Sequence, residues 1–103
     1  MVVFRFSQYG PVLVTRALGA EVREALLKEL ATAPRVVLDF EGVEMIGNSF
    51  ADECLGKLLL GMSLEELKRC TTVRNLTGTS RVSVSAALRR RYNAMTSTAG
   101  QSA

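Results

Sequence analysis

The residues best suited to chemistry lie between a predicted apolar strand and a predicted helix, in Gly47-Asn48-Ser49 and the residues that follow. Ser49 would lie at the helix N-terminus, where free N–H groups and the helix dipole favour an anion. A phosphate there would be held by those donors, but it would add about two negative charges beside Asp52 and Glu53. Phosphorylation could therefore dislodge an acidic partner. The same residues allow a structural role, in which Asn48 or Ser49 caps the helix and Asp52 completes a capping box.

The composition argues against an enzyme. The chain of 103 residues contains no His, which excludes Ser-His-Asp and Cys-His pairs, HExxH zinc sites and a His general base. The remaining carboxylates offer no evident pairing of a base with a nucleophile. Cys54 and Cys70 lack the spacing of a metal site. We therefore expect a protein without catalytic residues, metal or cofactor.

Cellular location is predicted from the cysteines and the apolar runs. The N-terminus lacks the pattern of a signal peptide, because Arg5 interrupts the first apolar run. Cys54 and Cys70 could form a disulfide, but we expect both thiols to be buried and reduced, as is typical of a cytoplasmic protein. No apolar run approaches the length of a membrane span. We expect a cytoplasmic domain with no membrane contact.

The charge is strongly uneven along the chain. Residues 1–67 carry six basic residues and all ten acidic ones, a net −4, whereas the chain from Lys68 onward carries seven basic residues and no acid, a net +7. This C-terminal third could attract nucleic acid, an anionic ligand or an acidic protein face. The candidate anion-binding residues are Arg81, Arg89, Arg90 and Arg91. Alternatively, the last three arginines simply stabilise the C-terminal end of a helix.

The apolar pattern predicts one small α/β domain at residues 1–95 and a flexible tail at residues 96–103. The second strand is expected to pair back on the first, and a parallel βαβ unit follows if it also neighbours the third. The second helix has a narrow polar stripe, so it should pack on the sheet and be covered further by a neighbouring element or by a partner that shares its apolar surface. Strands are predicted at residues 2–6, 12–14, 35–40 and 71–76, with a short extended link at 43–46. Helices are predicted at 16–33, 50–62, 63–69 and 80–95, with Pro34 ending the first helix, Ser63 opening a capping box and Ser80 capping the last helix.

Three further positions have two interpretations each, and a fourth has one structural role. Asn75 and Gly78 end the last strand, at the sheet end where a ligand crevice forms, but a turn also requires these residue types. Arg16 opposes the dipole at the start of the first helix, so it could instead reach a carboxylate or phosphate. Asp39 lies in an apolar strand and is expected to make a structural hydrogen bond near its end.

The order of these segments resembles a known family. The stretches "TRALGAEVREALLKEL", "VVLDFEGVEMIGNSFADECLG" and "TVRNL", followed by a terminal helix, are similar to the STAS-like domain family of uncharacterised bacterial proteins, itself related to the STAS domains of anti-sigma factor antagonists. The match covers roughly residues 12–92. The resemblance implies a STAS-like α/β domain with a mixed sheet of four to five strands packed with helices.

The resemblance also implies a function in protein binding. In the antagonists, a Ser in an Asp-Ser-Ser/Thr-Gly motif at this helix start is phosphorylated by a GHKL-type ATPase, and the unphosphorylated form binds that partner. Here Gly47 replaces the Asp, Asn48 stands at the usual phosphoacceptor and Ser49 falls one position later. We expect partner switching with a GHKL-type ATPase or an anti-sigma factor, a possible phosphoacceptor at Ser49, and possible homodimerisation. The predicted partner-binding residues are Asn48, Ser49, Phe50, Asp52, Asn75 and Gly78.

Overall fold

The computed structural model describes the backbone of residues 1–101 and the side chains of residues 1–95. Its strands are β1 (Val2–Arg5), β2 (Val12–Leu13), β3 (Val36–Asp39), β4 (Met45–Ile46) and β5 (Thr71–Arg74); its α-helices are α1 (Arg16–Thr32), α2 (Asn48–Cys54), α3 (Leu64–Cys70) and α4 (Gly78–Gln101); short 3-10 helices lie at Phe6–Tyr9 and Gly56–Leu60. Helix α4 therefore extends beyond its predicted end at residue 95. The flexibility predicted for residues 96–103 stays a prediction, and residues 102–103 lie outside the described residues.

Strand β3 is the centre of a parallel sheet with the order β1-β3-β5. Phe4 lies beside Leu38, and Leu38 lies beside Val73 in the register of this sheet. All four residues of β3 are buried, as its apolar composition predicts. Helix α1 lies in the connection from β1 to the parallel strand β3, which is the βαβ arrangement of an α/β domain.

The pairing of the second strand differs from the prediction. Strand β2 pairs in parallel with β4, with Val12 beside Met45, and the predicted hairpin between the first two strands is wrong. The segment between β1 and β2 is a 3-10 helix in which Phe6 is fully buried, so no tight turn joins the strands. The neighbour of β3 is β1 rather than β2. The described strands thus form two parallel sheets of three and two strands instead of one mixed sheet.

Helix α1 packs closely against α2 because Gly19 leaves room where they meet. A Cβ atom on Gly19 would lie 2.9 Å from Glu53 Cβ. The Thr15 hydroxyl caps α1 by accepting a hydrogen bond from the Leu18 N–H at 3.1 Å. The helix ends at Thr32, in agreement with the stop predicted from Pro34.

The predicted second helix is divided, and its apolar surface is covered within the chain. Helix α2 ends at Cys54, and the 3-10 helix Gly56–Leu60 continues it. A Cβ atom on Gly56 would lie 2.9 Å from Asp52 Oδ1 and 3.2 Å from Arg91 Cγ, so Gly56 lets α4 approach. The five residues from Phe50 to Cys54 are buried, with α1 and α4 packed against α2. Neighbouring helices of the same chain thus provide the cover of α2, which is one of the two kinds of cover predicted for it.

The two remaining cap predictions have different outcomes. Ser63 caps α3, since its Oγ accepts a hydrogen bond from the Glu66 N–H at 3.1 Å. Ser80 is not a cap, because α4 begins at Gly78 and Ser80 is buried inside the helix. Among the described residues, no helix is long and apolar enough to cross a membrane.

Candidate functional site

The first turn of α2 presents two exposed polar residues on an otherwise buried helix. Gly47 is the N-cap residue, and Asn48 and Ser49 are the first two helical residues, both exposed. The predicted cap at Asn48 or Ser49 is therefore wrong, and α2 has no side-chain cap. A Cβ atom on Gly47 would lie 3.1 Å from Val14 Cγ1. The Gly47 N–H donates to the Leu13 carbonyl oxygen at 2.9 Å. Packing against β2 thus fixes where α2 begins, and leaves the Asn48 and Ser49 side chains facing solvent.

Asp52 lies one turn further along α2 and is held by two arginines from other helices. Arg91 of α4 donates from Nε to Asp52 Oδ1 at 2.8 Å and from Nη2 to Oδ2 at 2.7 Å. Arg16 of α1 donates from Nη1 to Oδ2 at 3.0 Å. Asp52 is only 9% exposed, and the hydrogen bonds from Arg91, with a smaller contribution from Arg16, hold its pKa well below the usual range. Arg16 thus reaches a carboxylate, one of the two partners expected for it.

Glu53 is the second carboxylate of this site and has three basic partners. The Lys57 ammonium lies 3.0 Å from Glu53 Oε1, and Arg23 Nη1 donates to Oε2 at 3.0 Å and also to the Glu53 carbonyl oxygen. Arg16 Nη1 lies 3.3 Å from Oε1. Hydrogen bonds from Lys57 and then Arg23 lower the pKa of Glu53 to about 2. We call the six residues that make these contacts the ion-pair cluster: Arg16, Arg23, Asp52, Glu53, Lys57 and Arg91.

A cleft opens beside the ion-pair cluster, where α1 and α2 begin and α4 passes. It has a volume of about 590 Å³. Three arginines and one carboxylate give its lining an excess of positive charge. We call it the Ser49 cleft, and its lining residues are Arg16, Asn48, Ser49, Asp52, Arg90, Arg91 and Ala94.

The other predicted partner-binding residues lie outside this cleft or have no free surface. Phe50 is fully buried, so its ring belongs to the core rather than to an exposed surface. Asn75 and Gly78 have φ angles of 62° and 61°, which supports the turn interpretation for both. Asn75 Nδ2 also donates to Asp39 Oδ1 at 2.8 Å. The structural hydrogen bond expected for Asp39 is therefore present, and the Asn75 bond is the main cause of the lowered pKa of that carboxyl.

The four candidate anion-binding arginines do not form one surface. Arg90 and Arg91 line the Ser49 cleft. Arg81 and Arg89 line a separate groove of about 260 Å³ along α4, together with Val82 and Ser85. Arg81 and Arg89 are eight positions apart, about two helical turns, so they lie along one side of α4, whereas Arg90 and Arg91 border the cleft.

Two members of the ion-pair cluster were not identified from the sequence, although it contains a signal for each. Lys57 follows Glu53 by four residues, which is the spacing of an ion pair on one helical face. Arg23 follows Arg16 by seven residues and therefore lies on the same face of α1. Within the part of the chain that the structure describes, no group of three or more His, Cys, Asp and Glu side chains could hold a metal ion.

Comparison with known proteins identifies the fold family. A family model described as a STAS-like domain of unknown function (DUF4325) matches residues 19–81, which is more than half of the chain. No curated protein and no solved structure has significant similarity to the chain. The matched residues include most of α1 and all of β3 and α2, the elements that position Asn48, Ser49 and Asp52.

Proposed function

Because the chain belongs to the family of STAS-like domains of unknown function, we propose that it is a non-enzymatic regulatory domain of a bacterial protein network. It binds a protein partner through the surface around Asn48 and Ser49. The partner is a GHKL-type ATPase or an anti-sigma factor, as in the related antagonists. The observation that carries this proposal is the exposure of Asn48 and Ser49 on the first turn of an otherwise buried helix.

The surroundings of Ser49 support a docking surface of fixed shape. Helix α2 is held by Arg16 and Arg23 of α1 and by Arg91 of α4, through carboxylates that are largely buried. These bonds restrain the helix before a partner arrives, and pre-organisation reduces the entropy cost of binding. Residues Phe50 and Asp52 contribute to this rigidity rather than to direct partner contact.

Phosphorylation of Ser49 regulates this binding in our proposal. The sequence predicts repulsion between a phosphate and Asp52, but Arg91 and Arg16 offset the charge of that carboxylate. The Ser49 cleft also contains Arg90. A phosphate carries about two negative charges and pairs strongly with guanidinium groups, so it would compete with Asp52 for these arginines. The modified surface would then differ from the one that the partner binds.

The test uses the full chain and a purified GHKL-type ATPase from the same organism. After incubation with ATP, mass spectrometry should find one phosphate, on Ser49, and calorimetry should show weaker binding of the phosphorylated form by at least about tenfold. Ser49→Ala should bind the partner and accept no phosphate, while Ser85→Ala, a control on the exposed face of α4, should behave like the wild type. A phosphate elsewhere would refute the role of Ser49. Unchanged partner binding by Asn48→Arg would refute the docking surface.

A second candidate function is binding of nucleic acid or another anionic ligand by the basic C-terminal third. The supporting observation is that Arg81 and Arg89 are exposed on one face of α4, beside a groove. Gel retardation at low salt, lost at higher salt and in the Arg81→Ala, Arg89→Ala double variant, would support this function. Absence of retardation at low salt would exclude binding of nucleic acid.

A further inference from the structure

An apolar pocket is lined by residues of the strands β3 and β5 and of the helices α3 and α4. Its volume is about 220 Å³, and its floor is formed by the buried side chains of Leu38, Phe40 and Leu55. Leu88 of α4 and Val73 of β5 complete its walls. Val73 is 52% exposed, so the pocket reaches the surface beside the edge strand β5.

The size and lining of the pocket suit an apolar ligand. An engineered protein cavity of about 150 Å³ with aliphatic walls stays dry and binds benzene, and this pocket is larger. Its walls consist almost entirely of carbon atoms, so they offer water few hydrogen-bonding partners. A flexible hydrocarbon chain would pack against these walls.

The polar groups of the lining indicate the head group of that ligand. The Thr71 hydroxyl donates to the Leu67 carbonyl oxygen at 2.6 Å, so its proton is already used within the chain. Lys68 is the charged member of the lining and takes part in none of the ion pairs found among the described residues. An ammonium group beside an apolar pocket complements a carboxylate at the end of a hydrocarbon chain.

We propose that this pocket binds an aliphatic monocarboxylate, with its chain between α3, α4 and the sheet and its carboxylate at Lys68. The pocket shares no lining residue with the Ser49 cleft. The proposed site is therefore independent of partner binding at Ser49, and the two proposals are tested separately.

The test is a titration of the ¹⁵N-labelled full chain with octanoate below its micelle concentration, followed by amide chemical shifts. Octan-1-ol serves as the uncharged ligand of the same chain length. Val73→Phe places a bulky aromatic ring at the mouth of the pocket, and Phe, like Val, favours strands. Val82→Phe adds the same bulk on α4 but outside this pocket, and Lys68→Gln removes the charge.

Saturable shifts at the pocket residues are expected with octanoate in the wild type and in Val82→Phe. Val73→Phe should lose binding of both ligands, and Lys68→Gln should weaken octanoate about two- to fivefold without affecting octanol, as expected for an exposed ion pair. Shifts spread over the whole surface, or wild-type affinity in Val73→Phe, would overturn the site. Equal octanoate binding by wild type and Lys68→Gln would overturn the carboxylate assignment.

Discussion

Replacing Arg91 with Met should destabilise the protein, because Arg91 carries the main ion pair between α4 and α2. The change keeps an unbranched side chain but removes both hydrogen bonds to Asp52, at 2.8 and 2.7 Å. Asp52 would keep Arg16 at 3.0 Å as its cationic partner. A carboxylate that is only 9% exposed would then be under-compensated.

The size of the effect follows from the geometry of the pair. A hydrogen bond to a charged group contributes about 1.5–3 kcal/mol when it is well buried. The Arg91 side chain is 29% exposed, and Arg16 compensates part of the loss, so we expect a decrease of about 2 kcal/mol in the free energy of unfolding. For a domain of this size, that corresponds to a fall of about 8–16 °C in Tm.

The assay is urea and thermal unfolding followed by circular dichroism, with Arg90→Met as the matched control. Arg90 is exposed and forms none of the ion pairs found among the described residues, so its replacement should change stability by about 0.5 kcal/mol or less. A double-mutant cycle with Asp52→Asn isolates the pair and should give a coupling energy of about 1–2 kcal/mol. Equal stabilities of the two arginine variants, or no measurable coupling, would refute the assigned role of Arg91.

Three other outcomes test the packing around α2. The fold lowers the pKa of Glu53 from an ordinary 4.5 to about 2, so the stabilising contribution of its carboxylate is complete above pH 4.5 and is lost as the pH falls toward 2. In urea titrations at several pH values, the free energy of unfolding of Glu53→Gln should therefore fall less steeply with acid than that of the wild type. An unchanged pH dependence would contradict this assignment. Burial raises the pKa of the Cys54 thiol to about 12. Iodoacetamide at pH 8 should therefore modify Cys70 first and Cys54 only upon unfolding. Equal rates of modification at the two cysteines would contradict the burial of Cys54. Gly19→Ala should cost about 1–3 kcal/mol because its Cβ would lie 2.9 Å from Glu53 Cβ, while Gly61→Ala, with open space around it, should be nearly neutral in the same unfolding assay.

Helices α1 and α3 and the central strand β3 were predictable because local patterns specify them, whereas the predicted second helix is divided in the structure. The repeat of apolar residues identified α1, the continuous apolar run identified β3, and Pro34 and Ser63 marked a helix end and a helix start. The strand pairing was not predictable from the same information. A parallel partner is selected by long-range packing, and the buried Phe6 in a 3-10 helix prevents the hairpin that proximity in sequence suggested.

In the candidate site, too, local features were predictable from the sequence and long-range contacts were not. The sequence by itself placed Asn48 and Ser49 at the start of a helix after a central strand, and the absence of His excluded His-dependent catalysis. Only the tertiary structure decided which of the neighbouring residues are accessible. Phe50 and Asp52 lie one and three residues beyond Ser49, but the packing of α1 and α4 buries them. Arg16 and Arg91 are 75 positions apart in the sequence and meet at one carboxylate, because charge pairing across helices depends on distance in space, which no local pattern contains.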